Sequence, residues 1–290
     1  MLTIEGLNKS FTRAVAGGGK GTQSLQILRD VHLEVQPGEF ISLIGPSGCG
    51  KTTLIRTIAR LGPPDEGSVR IDGKLTYQPG EDVCLVFQDS GLLPWYTSFQ
   101  NVEYGLRLRG VPRRVREERV RHYLELMGLE GFEDSYPHQL SGGMRQRIGL
   151  ARALACEPRV LLLDEPFAAV DAQTRERLQE ELLRLWNLNR MTAVFVTHSI
   201  DEAVFLSDRV VVLRTLSSRG TDPSAPSVSS EVRIDLPRPR DRDGEQYRIV
   251  MAELRNALTA ASGPQSPAAP DAAGPGAPQS ADDMEVSNHG

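Results

Sequence analysis

The run Gly45-Pro46-Ser47-Gly48-Cys49-Gly50-Lys51-Thr52 constrains this chain more than any other stretch. It satisfies the spacing G-x-x-x-x-G-K-[ST], and it stands between a short apolar run at 40–44 and a helix-forming stretch at 51–61. The glycines let successive backbone N–H groups turn inward around an anion without Cβ clashes. The helix that follows aims the positive end of its dipole at the same point. Lys51 is placed to neutralise the β- and γ-phosphates of a nucleotide, and the Thr52 hydroxyl to ligate Mg²⁺. Thr53 belongs to the same nucleotide-contacting end of the loop. A glycine turn of no consequence would not need both the strand before it and the helix after it.

The rest of the chain alternates strand and helix. Strand patterns fall at 2–11, 27–35, 83–87, 160–163, 193–197 and 209–213, with helical patterns at 175–188 and 200–206. Such alternation implies an α/β fold on a mixed, mainly parallel sheet. Between 98 and 155 the texture is helical. Pro112 opens a helix on which Val120, Tyr123, Leu124 and Met127 share a face, and Gly128 closes it. Met144, Ile148, Ala151 and Ala155 then recur up to Glu157-Pro158. The organisation read from this is a first part of the core at 1–97, an inserted helical subdomain at 98–155, the second part with a C-terminal extension at 156–262, and a tail at 263–290. The Gly-rich run 14–22 and the Ser/Pro-rich run 217–230 read as loops. The tail is Pro, Ala, Gly and Ser with four acids and no Lys or Arg, so it reads as disordered.

Composition removes several functions. The net charge of −5 gives no bulk attraction to nucleic acid. The arginines at 113, 114, 116, 119 and 121 are interleaved by Glu117 and Glu118, as on a solvated helix face. Cys49, Cys84 and Cys156 fit neither a zinc spacing nor a disulfide framework, which points to a reducing compartment. The N-terminus carries no signal-peptide pattern, and no uncharged apolar run approaches the ~18 residues of a spanning helix. Any work at a membrane is expected from the side.

Two further anchors carry chemistry. The apolar run Val160-Leu161-Leu162-Leu163 delivers Asp164 and Glu165 to a strand end, where open α/β sheets bind ligands. Asp164 suits an Mg²⁺ shell and Glu165 suits polarisation of an attacking water. Leu140-Ser141-Gly142-Gly143 stands directly before a periodic helix, so Ser141 caps it and the bare backbone at Gly142 and Gly143 admits an anion. One nucleotide has little use for two phosphate-binding helix starts in the same chain. The second makes sense if it serves a nucleotide held by another copy.

These residues resemble the ATP-binding cassette family of transport ATPases. Leu140-Ser141-Gly142-Gly143 is similar to the family's signature motif. Gln88 resembles the glutamine that contacts Mg²⁺ and the attacking water, Asp171 in Ala169-Val170-Asp171 the aspartate that crosses to the partner subunit, and His198 the histidine that reads the γ-phosphate. Phe11 is the candidate to stack on adenine. His32, His122, His138 and His289 fall in the structural class. The resemblance implies ATP and Mg²⁺ as cofactors and a head-to-tail dimer with two nucleotides sandwiched inside. It also implies two integral membrane permease subunits, a solute-binding protein that acts indirectly, and a peripheral place on the cytoplasmic face of the inner membrane.

Gln88-Asp89-Ser90-Gly91-Leu92-Leu93-Pro94-Trp95 and Asp164-Glu165-Pro166-Phe167 look like importer ATPases, part of the former lining a groove for a membrane partner. Leu236-Pro237-Arg238-Pro239-Arg240-Asp241-Arg242-Asp243 is similar to the group that serves nitrate, sulfonates and taurine. The likeness covers 1–13, 25–213 and 231–258. Its departures are the two loop insertions, Ser199 in place of Asp and Val170 in place of Leu. A soluble cassette ATPase of repair or translation would carry two cassettes, a coiled coil or zinc-spaced cysteines. An ATP-gated dimerisation module would lack Glu165 or His198.

Overall fold

A computed structural model of the protein describes residues 1–14, 22–75, 79–80, 82–216 and 224–262. The chain opens with two long antiparallel strands, β1 (Leu2–Ala14) and β2 (Thr22–Val35). Strand β3 (Phe40–Ile44) leads through the glycine loop into helix α1 (Lys51–Ile58). Strands β4 (Glu66–Ile71) and β5 (Lys74–Leu75) join the first pair, giving a four-stranded antiparallel sheet in the order β2-β1-β4-β5. After β6 (Val83–Val86) come three helices, α2 (Ser98–Leu108), α3 (Arg113–Leu126) and α4 (Gly142–Ala155), which pack on one another. Then follow β7 (Val160–Asp164), α5 (Ala172–Asn189), β8 (Thr192–Val196), α6 (Ile200–Leu206), β9 (Arg209–Leu213), β10 (Val228–Arg233) and α7 (Glu245–Ser262).

The second sheet has the order β10-β9-β3-β8-β7-β6, parallel throughout except for β10 at its edge. Strands β3, β7 and β8 are buried at every position, as strands covered on both faces must be. Side chains alternate across the pleat. Phe40, Leu161, Leu163 and Phe195 point into one core beneath α4, α5 and α6. Ile41, Leu43, Leu162 and Val196 point into another that includes Leu54 and Ile55 of α1 and Leu2, Ile4 and Leu33 of the antiparallel sheet. The parallel strands therefore end along one edge, which gathers the loops that follow them.

Most of the predicted elements appear within a few residues of their expected ends. The run 217–230 is not all loop. Val228, Ser229 and Ser230 open β10, whose Val228 and Val232 pair with Leu213 and Val210 of β9. A partner strand decides that, and serine and proline content does not reveal it. The glycine-rich run is bounded by paired strand ends at Ala14 and Thr22, and 15–21 lie outside the described residues, as does the tail at 263–290. Strands β4 and β5 and helix α7 had no strong sequence signal. In α7 only Tyr247, Leu254 and Ala261 are fully buried, one per seven residues along a single stripe.

Phe40 is fully buried and packs edge-on against Trp186, with ring centroids 5.8 Å apart, and against Phe195 at 6.1 Å. Phe40→Ala should cost about 3–5 kcal/mol by cavity formation. Urea denaturation of the two proteins, compared at equal m-value, checks it.

Candidate active site

The glycine loop takes its shape from its neighbours. A Cβ on Gly45 would sit 2.5 Å from the Leu213 carbonyl oxygen. Gly50 has φ of 100°, and a Cβ there would meet Leu28 at 2.6 Å. No other residue type fits either place. Lys51 Nζ folds back over the loop and donates to the carbonyls of Gly45 at 2.7 Å and Pro46 at 3.1 Å. That puts a buried ammonium at the centre of the cradle. Burial pushes the Cys49 thiol up, so no thiolate competes with an anion there.

At the end of β7, Asp164 is buried and accepts from Thr52 Oγ1 at 3.4 Å. Burial, and then the neighbouring Glu165, push its carboxyl above the usual range. No basic side chain forms an ion pair with it among the described residues. A desolvated carboxylate next to a hydroxyl is a donor set for a hard cation completed by phosphate oxygens. No cluster of three His, Cys, Asp or Glu side chains exists among the described residues to hold a metal alone. Thr52 and Asp164 therefore fit Mg²⁺ shared with a nucleotide, and they fit no all-protein cage.

Glu165 adopts a left-handed backbone, φ 49°, while its N–H donates to Val196 O at 3.0 Å. Strain of this kind in a non-glycine residue clusters at functional sites. It turns the carboxylate toward two groups. Glu165 Oε1 lies 2.7 Å from His198 Nε2, and Oε2 accepts from Gln88 Nε2 at 3.5 Å. Gln88, Glu165 and His198 follow β6, β7 and β8, three adjacent strands. A cleft of about 390 Å³ joins Ser47, Lys51, Thr52 and Thr53 to Glu165 and His198, and Phe11, half exposed, forms its far wall. Ile27 of β2 lines the same wall, which sequence periodicity alone did not single out.

Ser141, Gly142, Gly143 and Asp171 do not line that cleft. Ser141 caps α4, its hydroxyl accepting from Met144 N at 3.2 Å. A Cβ on Gly142 or Gly143 would meet nothing closer than 3.8 Å, so nothing within the chain requires glycine there. Asp171 caps α5 by accepting from Thr174 N at 3.0 Å, and that backbone N–H holds its carboxyl below the usual range. Ser199, standing where aspartate was expected, caps α6 by accepting from Glu202 N at 3.3 Å. Val170 is buried in the core.

Fold and site together define a P-loop nucleotide-binding protein. A family model described as ABC transporter matches residues 28–168. An uncharacterized ABC transporter ATP-binding protein of Methanocaldococcus jannaschii is 50% identical over 89% of this chain and 91% of its own length. The nitrate import ATP-binding protein of a Synechocystis species is 43% identical over 81% of this chain and 83% of its own. The aliphatic sulfonates import ATP-binding protein of Bacillus cereus is 38% identical over 87% and 94%. A solved ATP-binding cassette, dimeric in a post-hydrolysis state with ADP and Pi, superposes with a TM-score of 0.68 at 31% identity, covering 81% of this chain and 99% of that one. The chain belongs to the ABC transporter family of ATP-binding proteins, and it is an ATPase coupled to transport. No helix among the described residues is long and apolar enough to cross a membrane.

Because the charged form of Asp164 is disfavoured by the fold, its contribution to stability is present in acid and lost as pH rises through its raised folded value. Asp164→Asn should therefore raise the Tm of the nucleotide-free protein at neutral pH while abolishing hydrolysis. Calorimetry near neutral pH, set beside an ATPase assay, reads both.

Proposed function

We propose that this chain energises uptake of a small anion, in the class of nitrate, sulfonates and taurine, through two separate membrane subunits, and that it does so by closing head to tail with a second copy over two ATP molecules. The observation that carries the dimer is the pair Gly142 and Gly143. They begin a helix away from the cleft, where glycine is a poorer helix former than alanine, and no neighbour in the chain demands it. An opposing phosphate group explains their bareness. The solved cassette that is dimeric with ADP and Pi bound supports pairing of two copies. The names of the nitrate and sulfonate relatives, and the motif at 236–243, support the anion class.

In this reading the loop from Gly45 to Gly50 wraps the phosphates with backbone N–H groups, Lys51 neutralises their charge, and Phe11 stacks on the base. Mg²⁺, held by Thr52, Asp164 and Gln88, would offset charge building on the phosphate oxygens. Glu165 orients and polarises the attacking water, its carboxylate aimed by the contacts to His198 and Gln88. His198 and the other copy's Ser141 and Gly143 meet the γ-phosphate as negative charge shifts onto it. Asp171 crosses to the partner.

We place the permease contact beside Gln88. Leu93 is pinned by Asn101, which accepts from its N–H at 2.8 Å and donates to its carbonyl at 3.2 Å, and Trp95, two residues on, is exposed. There residues 98–155 would move as a unit against the core, on the cytoplasmic face of the inner membrane.

Glu165→Gln should keep ATP affinity, lose turnover by ~10²–10⁴ and accumulate ATP-bound dimer on gel filtration. Near wild-type hydrolysis would reject the role given to Glu165. Gly143→Asp puts an acid at a helix start, which favours the fold. It should leave Tm and nucleotide binding intact while cutting turnover by ~10²–10³. Full-speed hydrolysis by a strict monomer would remove the dimer from the proposal.

A further inference from the structure

Helix α6 starts two residues after His198 and has only seven residues, too few to hold its place without tertiary support. The support comes from the segment 236–247, the motif that the nucleotide chemistry leaves unused. Arg240 is buried, and its guanidinium reaches around the C-terminal end of α6. Nη1 donates to the carbonyls of Val204, Phe205 at 3.2 Å and Ser207 at 2.7 Å, and Nε and Nη2 reach Leu236 and Ile234, each at 3.3 Å. A cation at a helix C-terminus is also favoured by the helix dipole. Burial, and then the nearby Arg238, pull Arg240 down to about 10, so it stays charged at neutral pH.

The other end of α6 is held as well. Tyr247 OH lies 2.8 Å from Asp201 Oδ1 and 2.9 Å from Asp201 O. Arg242 stacks 4.1 Å over the Phe205 ring and donates through Nη2 to Gln179 Oε1 at 2.5 Å. Gln179 Nε2 donates to Glu202 Oε1 at 3.2 Å. Glu202 Oε2 accepts from Thr197 Oγ1, which itself accepts from Ser199 N at 3.0 Å. Thr197 and Ser199 are the two residues that flank His198. A chain of hydrogen bonds therefore runs from Arg242 to both neighbours of His198, and every link is buried or half-buried.

We infer that Arg240, Arg242 and Tyr247 are positioning residues for hydrolysis, a clamp that fixes α6 and thereby holds His198 at hydrogen-bond distance from Glu165. The inference rests on the γ-phosphate role proposed for His198. Displacement of a reacting group by about 1 Å can cost ~10²-fold in rate, so loosening the clamp lowers turnover without loosening the phosphate loop.

The test is a double-mutant cycle on the full-length protein. Tyr247→Phe, Arg242→Ala and Arg240→Ala are each made in the wild-type and the His198→Ala backgrounds, and kcat and KM for ATP are measured with Tm. The clamp predicts a fall in kcat of about tenfold or more for Arg240→Ala and less for Tyr247→Phe, with KM within about twofold. It predicts no further loss once His198 is gone. Should Arg240→Ala fail to fold, the other two variants, which remove one hydroxyl or a half-buried link, carry the result. Equal losses in both backgrounds, or unchanged kcat in every soluble variant, overturn the clamp while leaving the role of His198 standing. A His198→Ala protein with wild-type kcat overturns both.

Discussion

The site depends on one constraint, the burial of a parallel sheet on both faces. Strands β3, β7 and β8 carry almost no polar side chains, so they have no stable place except between two apolar layers. Once they are parallel and in register, their C-terminal ends lie side by side. The glycine loop after β3, the carboxylates after β7, Gln88 after β6 and His198 after β8 then converge without any residue reaching far. The antiparallel sheet packs on the outer face of α1 and brings Phe11 and Ile27 to the same cleft. The sheet supplies the precision, and the loops supply the chemistry.

That convergence carries an electrostatic cost. Asp164 and Glu165 are adjacent acids at a buried strand end, and Asp164 lacks an ion-pair partner among the described residues. Glu165 adds a left-handed backbone angle. A chain selected for stability alone would avoid both features. They fit a place where a cation and a polyphosphate complete the charge balance.

The two glycine-bearing helix starts differ in their surroundings. Around the first, Gly45 and Gly50 are forced by contacts inside the chain. Around the second, a Cβ on Gly142 or Gly143 would make only ordinary contacts, at 3.8 Å or more. The glycines of the first are fixed by the fold, and those of the second are not. Helix α6, which follows His198, is held at both ends by contacts from the C-terminal extension, through Arg240 at its last carbonyls and Tyr247 at Asp201.

The sequence by itself determined the phosphate loop, the apolar strands and the chemistry-bearing side chains, because each is encoded in a few consecutive residues. Spacing and periodicity reveal such local patterns directly. Lys51, Asp164 and Glu165 are of this kind, and so are the strands at 40–44 and 209–213 and the helix at 200–206, whose ends the sequence marks to the residue, while His198 stands out only through the family resemblance. Only the tertiary structure decided that Val228 pairs with Leu213, that Ile27 joins Phe11 at the cleft, and that Arg240 closes the end of α6. Those contacts join residues distant in the chain, and their energy depends on a partner that no local window contains. Glu202 shows the boundary well: in the sequence it is one acid in a first helical turn, and in the fold it is the buried link between Gln179 and Thr197.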